Sequence, residues 1–464
     1  MVTRARAYIT ADAREQTAWG TARAYVAVGV ITTDTGNTQI PSITGFNRAF
    51  IQWAGITAGI TQSFFDFYLH GAVAYRYYVP SEDSGDGGWW LWAYTAQLGN
   101  GLSASISAEA RRITQMINLS GNSELTATGT NITGLTNLAT SLCGVAAQPG
   151  SLTGDLASAV AANSGPYGGM QSPDIVGNIR LDQTWGSAQI MAAAHEDNAG
   201  YYGQTVSSTV SNGIPGTYFG HPGDKWGFVV GAGLRLNFPM IAQGDYFQGE
   251  VNYTQGALRY LDHTGNAPTL FYERGNGAAY GLMSDCVYGA TVHQASAATQ
   301  PSTLAVLTNQ TGCQLTTGWS FNASYEHYWT PQFRESFFGG YMAVRYNTQA
   351  NNMLCAYTAD GGIHADFGTA ATPQAGCNNN WNIWSVGTRF QYDFTKTLYI
   401  GAEFLYQGLD TATGLGGANN NTLGSILAGQ FNTATTTSGI NSNTPLKDMQ
   451  NLAVTVRIHK DFLP

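Results

Sequence analysis

The chain has 464 residues, a net charge of −9 and a mean hydropathy of −0.14, with 12% aromatic and only 11% charged residues, against about 25% charged in an ordinary soluble domain. Being polar without being charged, and holding 57 glycines, it suits many short strands joined by polar loops and shows little helical periodicity. The acidic balance and the lack of a basic stripe exclude nucleic acid as a general partner, and no apolar run approaches the roughly 18 residues of a membrane helix.

Residues 3–14 alternate strictly, with Arg4, Arg6, Tyr8, Thr10 and Asp12 on one side and Ala5, Ala7, Ile9 and Ala11 on the other. About 10 residues is the length of a tilted membrane-crossing strand. A turn over 15–18 leads to Trp19, expected at an interface, and to a second strand with Arg23 and Tyr25 inward and Ala22, Ala24, Val26 and Val28 outward. A polar loop is expected over 32–44. A hairpin follows, turning at Ala54-Gly55: Ala49, Ile51 and Trp53 share one parity and Arg48, Phe50 and Gln52 the other, and beyond the turn Ile56, Ala58 and Ile60 oppose Thr57, Gly59 and Thr61. Mostly small aliphatic side chains on one face and polar ones on the other fit a strand between lipid and a watery lumen. If the chain sits in a membrane it must be a closed barrel, because open sheet edges leave backbone groups unpaired in hydrocarbon.

Residues 63–89 are too rich in Gly, Pro and acid for a strand. Next come WLWAYTAQL, a turn at Gly99-Asn100-Gly101, and LSASISAEAR, whose Leu102, Ala104, Ile106 and Ala108 point outward and whose Ser103, Ser105, Ser107 and Glu109 point inward. Asn-Gly between alternating runs is a strong hairpin signal. Further pairs are expected at 173–197, 224–259, 317–346 and 382–408, and a last strand at 448–462. The long loops between them span 113–172, 198–223, 260–316, 347–381 and 409–447. Short turns alternating with long loops describe an all-β, antiparallel, up-and-down transmembrane barrel forming one domain over 1–464. The count reaches fifteen. Bacterial single-chain barrels have even numbers, so one more strand is expected before residue 3. The opening MVTRARAYITAD has no apolar signal segment, so a signal is expected either to have been removed or to lie upstream of this start.

The runs ARAYITADAREQTAWGTARAYVAVG, RAFIQWAGITAGITQSFFDF and PDIVGNIRLDQTWGSAQIMAAAHED, with DKWGFVVGAGLRLNFP, QGALRY, WTPQFRESFFGGY and the ending VTVRIHKDF, resemble the alphaproteobacterial porins, the family of the Brucella and rhizobial major porins. The resemblance covers the barrel from end to end. It implies sixteen strands, a homotrimer, and a third external loop folded into the pore. Family members also commonly end on an aromatic residue, whereas this chain runs on past Phe462 with Leu463-Pro464.

On that reading the segment 63–89 narrows the pore and brings Asp66, Glu82, Asp83 and Asp86, with His70 and Arg76, to face the lumen-parity arginines Arg4, Arg6, Arg23 and Arg48. Acid on one side and base on the other would set a transverse field, strong where water is confined, at the point where a pore selects. The same arginines also serve to hold a barrel together by pairing with carboxylates. Cys286 and Cys313 lie in one long loop, Cys355 and Cys377 in another, so two local disulfides in an oxidising envelope are expected, with Cys143 left over. His195-Glu196-Asp197 has the residue types of metal ligands, but adjacent strand residues point to opposite faces, so neither metal nor cofactor is expected. No Walker loop, Rossmann fingerprint, GxSxG or HExxH is present, and no enzymatic activity is expected.

The function expected is passive diffusion of small hydrophilic solutes and ions across an outer membrane, among lipid and lipopolysaccharide. Two alternatives are a soluble secreted all-β binding protein, which would need a large apolar core, and a structural or adhesive barrel plugged by its loops.

Overall fold

The computed structural model describes residues 3–34, 39–68, 73–75, 88–112, 114, 116–118, 121–122, 168–202, 220–262, 269–274, 277–294, 305–308, 310–356, 376–413 and 444–462. Fifteen strands form one antiparallel sheet: β1 Thr3–Thr17, β2 Gly20–Asp34, β3 Gln39–Trp53, β4 Ile56–Thr61, β5 Trp89–Gly99, β6 Leu102–Glu109, β7 Asp174–Gln183, β8 Gly186–Asp197, β9 Lys225–Asn237, β10 Tyr246–Gln255, β11 Thr317–Tyr328, β12 Phe333–Arg345, β13 Trp381–Thr395, β14 Leu398–Asp410 and β15 Met449–Lys460. Each pairs with its neighbours in chain order, and β1 and β15 stand at the two ends of that order. No helix among the described residues is long and apolar enough to cross a membrane.

The sense of the faces decides what kind of sheet this is. On β8, Ile190 is 69% exposed, while Gln189 and Met191 on either side are 3% and 1% exposed. The same parity runs through Ile51, Trp92, Ile106, Val251, Phe337 and Val456, all exposed, and through Ser107, Glu109, Glu250, Ser336, Gln391 and Glu403, all buried. A soluble sandwich buries its aliphatic face because that face is driven from water. Here the aliphatic face is outermost and the enclosed face is largely polar, as lipid outside and a lumen inside require, and the large apolar core that a soluble binding protein would need is not built by these strands.

The turns are tight. Ala54 and Gly55 both have positive φ, 52° and 83°, the pairing that a two-residue turn needs to follow the strand twist. A Cβ at Gly55 would also come within 2.8 Å of the Thr95 carbonyl oxygen. Trp19, Trp53, Trp185 and Trp329 stand exposed at or beside the turn ends of their hairpins, the placement of an interfacial aromatic girdle.

Two expectations about loops are corrected. Most of 32–44 is strand: β2 and β3 run on to the pair Asp34↔Gln39, with register shifts beside Val28. Ile31, Thr32, Thr33, Ile40, Ile43 and Thr44 are β-branched, and that shape outweighed their mixed polarity. The long loops also carry structure of their own. Met116–Asn118 pairs in parallel with Cys286–Tyr288, and Gly121–Asn122 with Thr291 and Val292. Thr269–Arg274 pairs with Gly277–Leu282, and a helix α1 covers Thr348–Ala356. Leu258, Leu282, Met283, Val287, Met353 and Leu354 from these connections close on Met342, Val344, Trp381 and Leu409 at the loop ends of β12–β14, making one buried apolar cluster. The disulfides Cys286–Cys313 and Cys355–Cys377 staple it. Cys143 and Leu463-Pro464 lie outside the described residues.

Candidate functional site

The inner wall is a carboxylate- and arginine-rich surface, and the chain leaving β4 is fastened to it at several places. Glu109 at the end of β6 accepts the Phe64 amide at 2.9 Å and the Ser63 hydroxyl at 2.6 Å. Phe65 and Phe67 then settle on Val176, Met191, Ala193 and Val229 of β7–β9, an apolar patch on the otherwise polar inner face. Between them Asp66 accepts a bond from Arg112 at 2.8 Å. The Tyr68 amide donates to Glu250 of β10 at 2.8 Å.

Farther on, the Val73 carbonyl accepts the Ser336 hydroxyl of β12 and the Tyr75 amide donates to Glu403 of β14. The Tyr75 hydroxyl donates to Gln391 of β13 at 3.0 Å, and Arg457 of β15 lies 4.4 Å from its ring centroid. The described parts of 63–75 therefore touch inward-facing residues from β6 round to β15. Three glutamates each accept a backbone amide of the segment, which fixes its course at three separate points of the inner wall.

Electrostatics follow from this geometry. Burial works against the Arg112 charge, but Asp66, with Tyr260 and Glu109 nearby, outweighs it and holds the guanidinium more firmly protonated than usual. The guanidinium also lies 4.4 Å from the Tyr260 ring centroid and 5.4 Å from that of Trp89, cation–π contacts that desolvation strengthens. Burial pushes the Tyr75 phenol up to about 12, against the lowering influence of Arg389, so it stays a neutral donor.

The expected site residues are placed unequally. Arg4 and Arg6 lie exposed on β1. Arg23 on β2 donates to Asp12 at 3.0 Å and to Gln52 at 3.1 Å, beside the rings of Tyr25 and Phe50. Arg48 is half-buried on β3. Asp66 meets Arg112, an arginine outside the expected basic set. Glu82, Asp83 and Asp86, with His70 and Arg76, lie outside the described residues.

Arg180, Arg235, Arg334 and Arg389 also lie outside the expected basic set, although their inward parity on β7, β9, β12 and β13 marks them. Arg180 and Arg235 line a cavity of about 620 Å³ together with Asp66, Asp182, Asn178 and Gln248. Glu326 sits between Arg389 at 2.9 Å and Arg334 at 3.3 Å. Opposite charges so distributed give the enclosed face a mixed, fixed-charge lining.

Residues 1–440 are matched by the model of a family described as the porin subfamily. No curated protein matches the chain. Among solved structures, the chain is similar to the outer-membrane channel DcaP of Acinetobacter baumannii at 12% identity, covering 88% of this chain and 90% of that one with a TM-score of 0.45. It is also similar to OmpF of Salmonella typhi at 8% identity, 98% and 90% coverage and a TM-score of 0.41, and to OprB of Pseudomonas putida at 9% identity, 87% and 83% coverage and a TM-score of 0.40. Likenesses of this depth add nothing to a topology read directly from the strands.

Proposed function

The chain belongs to the porin subfamily and is an outer-membrane diffusion porin, and from that premise we propose that the segment 63–89 forms its constriction. The supporting observation is the path of that segment across the inner wall, from Glu109 through Glu250 to Glu403. On this reading Asp66, Glu82, Asp83 and Asp86 supply the acidic side of the constriction and Arg4, Arg6, Arg23 and Arg48 the basic side. Arg180 and Arg235, which line one cavity with Asp66, add to the basic lining.

Solutes that fit are small and hydrophilic, because a charged, hydrated throat orients dipoles and leaves apolar molecules without partners. The protein acts as a channel and not as an enzyme. It assembles as a homotrimer set in outer-membrane lipid and lipopolysaccharide, and the runs quoted above support a place beside the Brucella and rhizobial porins. The test is single-channel conductance in planar bilayers, with reversal potentials in a salt gradient. Stepwise ohmic conductance is expected.

One observation favours a second reading, a barrel closed by its own loops: the buried apolar cluster over β12–β14 contains side chains from several long connections. A folded, membrane-inserted protein that passes no current would establish that reading and end the first.

A further inference from the structure

His195 and Asp197 at the loop end of β8 are two residues apart and share the inner face, with Glu196 between them. Both are 0% exposed, and so is Asp285 from the connection between β10 and β11. His195 Nδ1 lies 2.7 Å from Asp174 Oδ1 on β7. That bond places the donor proton on Nδ1 and turns the Nε2 lone pair toward the other two acids. Nε2 stands 4.0 Å from Asp285 Oδ2, too far for a hydrogen bond.

Among the described residues no hydrogen bond reaches His195 Nε2 or either carboxylate oxygen of Asp197. A buried, unbonded carboxylate is among the most costly groups a fold can hold. It is also given room: a Cβ on Gly227 would come within 2.8 Å of Asp197 Oδ2, and one on Gly256 within 2.5 Å. Asp285 is oriented by the Leu258 amide at 2.8 Å and the Thr114 amide at 3.0 Å.

We propose that His195 Nε2, Asp197 and Asp285 bind a divalent transition-metal cation, with zinc the best match to one imidazole and two carboxylates. Two ligands on one tetrahedral zinc stand about 3.4 Å apart. One ligand atom from each of the three lies within 4.8 Å of the others, and His195 Nε2 is 4.0 Å from Asp285 Oδ2, so binding draws the three inward by several tenths of an ångström, with the unbonded Asp197 carboxylate free to turn toward the ion. The dication neutralises the two carboxylates while His195 stays neutral and bonded to Asp174, whose other oxygen accepts from the Tyr260 hydroxyl at 2.8 Å and the Arg112 amide at 3.0 Å. A carboxylate behind a ligating histidine is the usual outer partner of such a site. The ion joins the wall at β8 to the connection carrying Asp285, next to the Cys286–Cys313 staple, and is a structural clamp rather than a catalyst.

The rival is an imidazolium at His195 balancing the acids without metal. Protein purified from outer membranes in detergent is to be assayed for bound zinc before and after chelation with dipicolinate, and the chelated form titrated with cobalt(II) and followed by its visible absorption. About one zinc per chain is expected, with a cobalt spectrum of a four- or five-coordinate site and a lower melting temperature after chelation that zinc restores. Asp197→Asn is expected to lose the metal. No retained zinc, no cobalt spectrum and a melting temperature indifferent to zinc and chelator would overturn the proposal. A folded Asp197→Asn that still binds one zinc would do the same, and should that variant not fold, the wild-type assays decide alone.

Discussion

Arg112 Nη2 donates to Asp66 Oδ1 at 2.8 Å, with 2% and 1% of the two side chains exposed, and this bond ties the segment leaving β4 to the chain just beyond β6. Removing one partner of a buried ion pair leaves the other charge desolvated and uncompensated, at a cost of about 3–5 kcal/mol. Arg112→Ala is therefore expected to lower the temperature at which the folded form disappears in detergent and to make single-channel current noisier. Unaltered melting together with an unaltered current trace would remove the anchor role.

Glu403 holds the far end of the same segment through the Tyr75 amide. Glu403→Ala should loosen that end, leaving the Val73–Ser336 and Tyr75–Gln391 bonds and the Asp66–Arg112 pair in place, so the expected signature is a newly variable unitary conductance in a protein that still folds. A variant with normal, steady conductance levels would show that the Glu403 contact does not set the width.

Arg23 and Arg48 belong to the proposed basic side of the constriction. Replacing both by alanine subtracts two positive charges from the passage, and the reversal potential in a salt gradient should move toward cation preference, more at low salt than at high because screening shortens the reach of fixed charge. Arg23 is partly offset by Asp12. A reversal potential identical to wild type would place both outside the constriction.

Asp245 precedes β10 at the turn end and accepts from the Tyr328 amide and the Tyr325 hydroxyl, both at 2.8 Å, with His327 Nδ1 at 2.7 Å. Burial alone would raise its carboxyl, but these partners together hold it below the ordinary range. A folded value below the unfolded one means that its stabilising contribution is complete above the unfolded value, about 3.9, and is lost as pH falls through the lower folded value. Wild-type stability should fall along that acid limb. Asp245→Asn should be less stable at pH 7 and lack that part of the acid dependence; parallel curves for the two proteins would contradict the assignment.

Ile190 reports on the outer surface. An arginine there costs about 2–4 kcal/mol if the site lies near the bilayer midplane, so Ile190→Arg should insert poorly into lipid vesicles, scored by the heat-modifiable folded band. Gln189→Ser, one residue away on the inner face, should insert normally. Equal insertion of both would mean that the β8 exterior does not meet acyl chains.

The fifteen strands of the main sheet, their tight turns and the alternating sense of most of their side chains are readable from residue order, because a period of two and a turn at Ala54-Gly55 or Asn100-Gly101 are local properties; the strand over most of 32–44 and the pairings inside the long connections are not. Ile51 outward and Gln52 inward needed nothing more, and cysteine placement sufficed for both disulfides. Which inward groups meet depends instead on how far the sheet bends and where the connections land. Asp66 is 46 residues from Arg112, Tyr75 is 328 from Glu403, and Asp285 reaches His195 from another connection altogether. Such encounters are settled by the curvature of the whole wall and by apolar side chains such as Phe65, Phe67 and Val287 finding burial, and no local pattern records either.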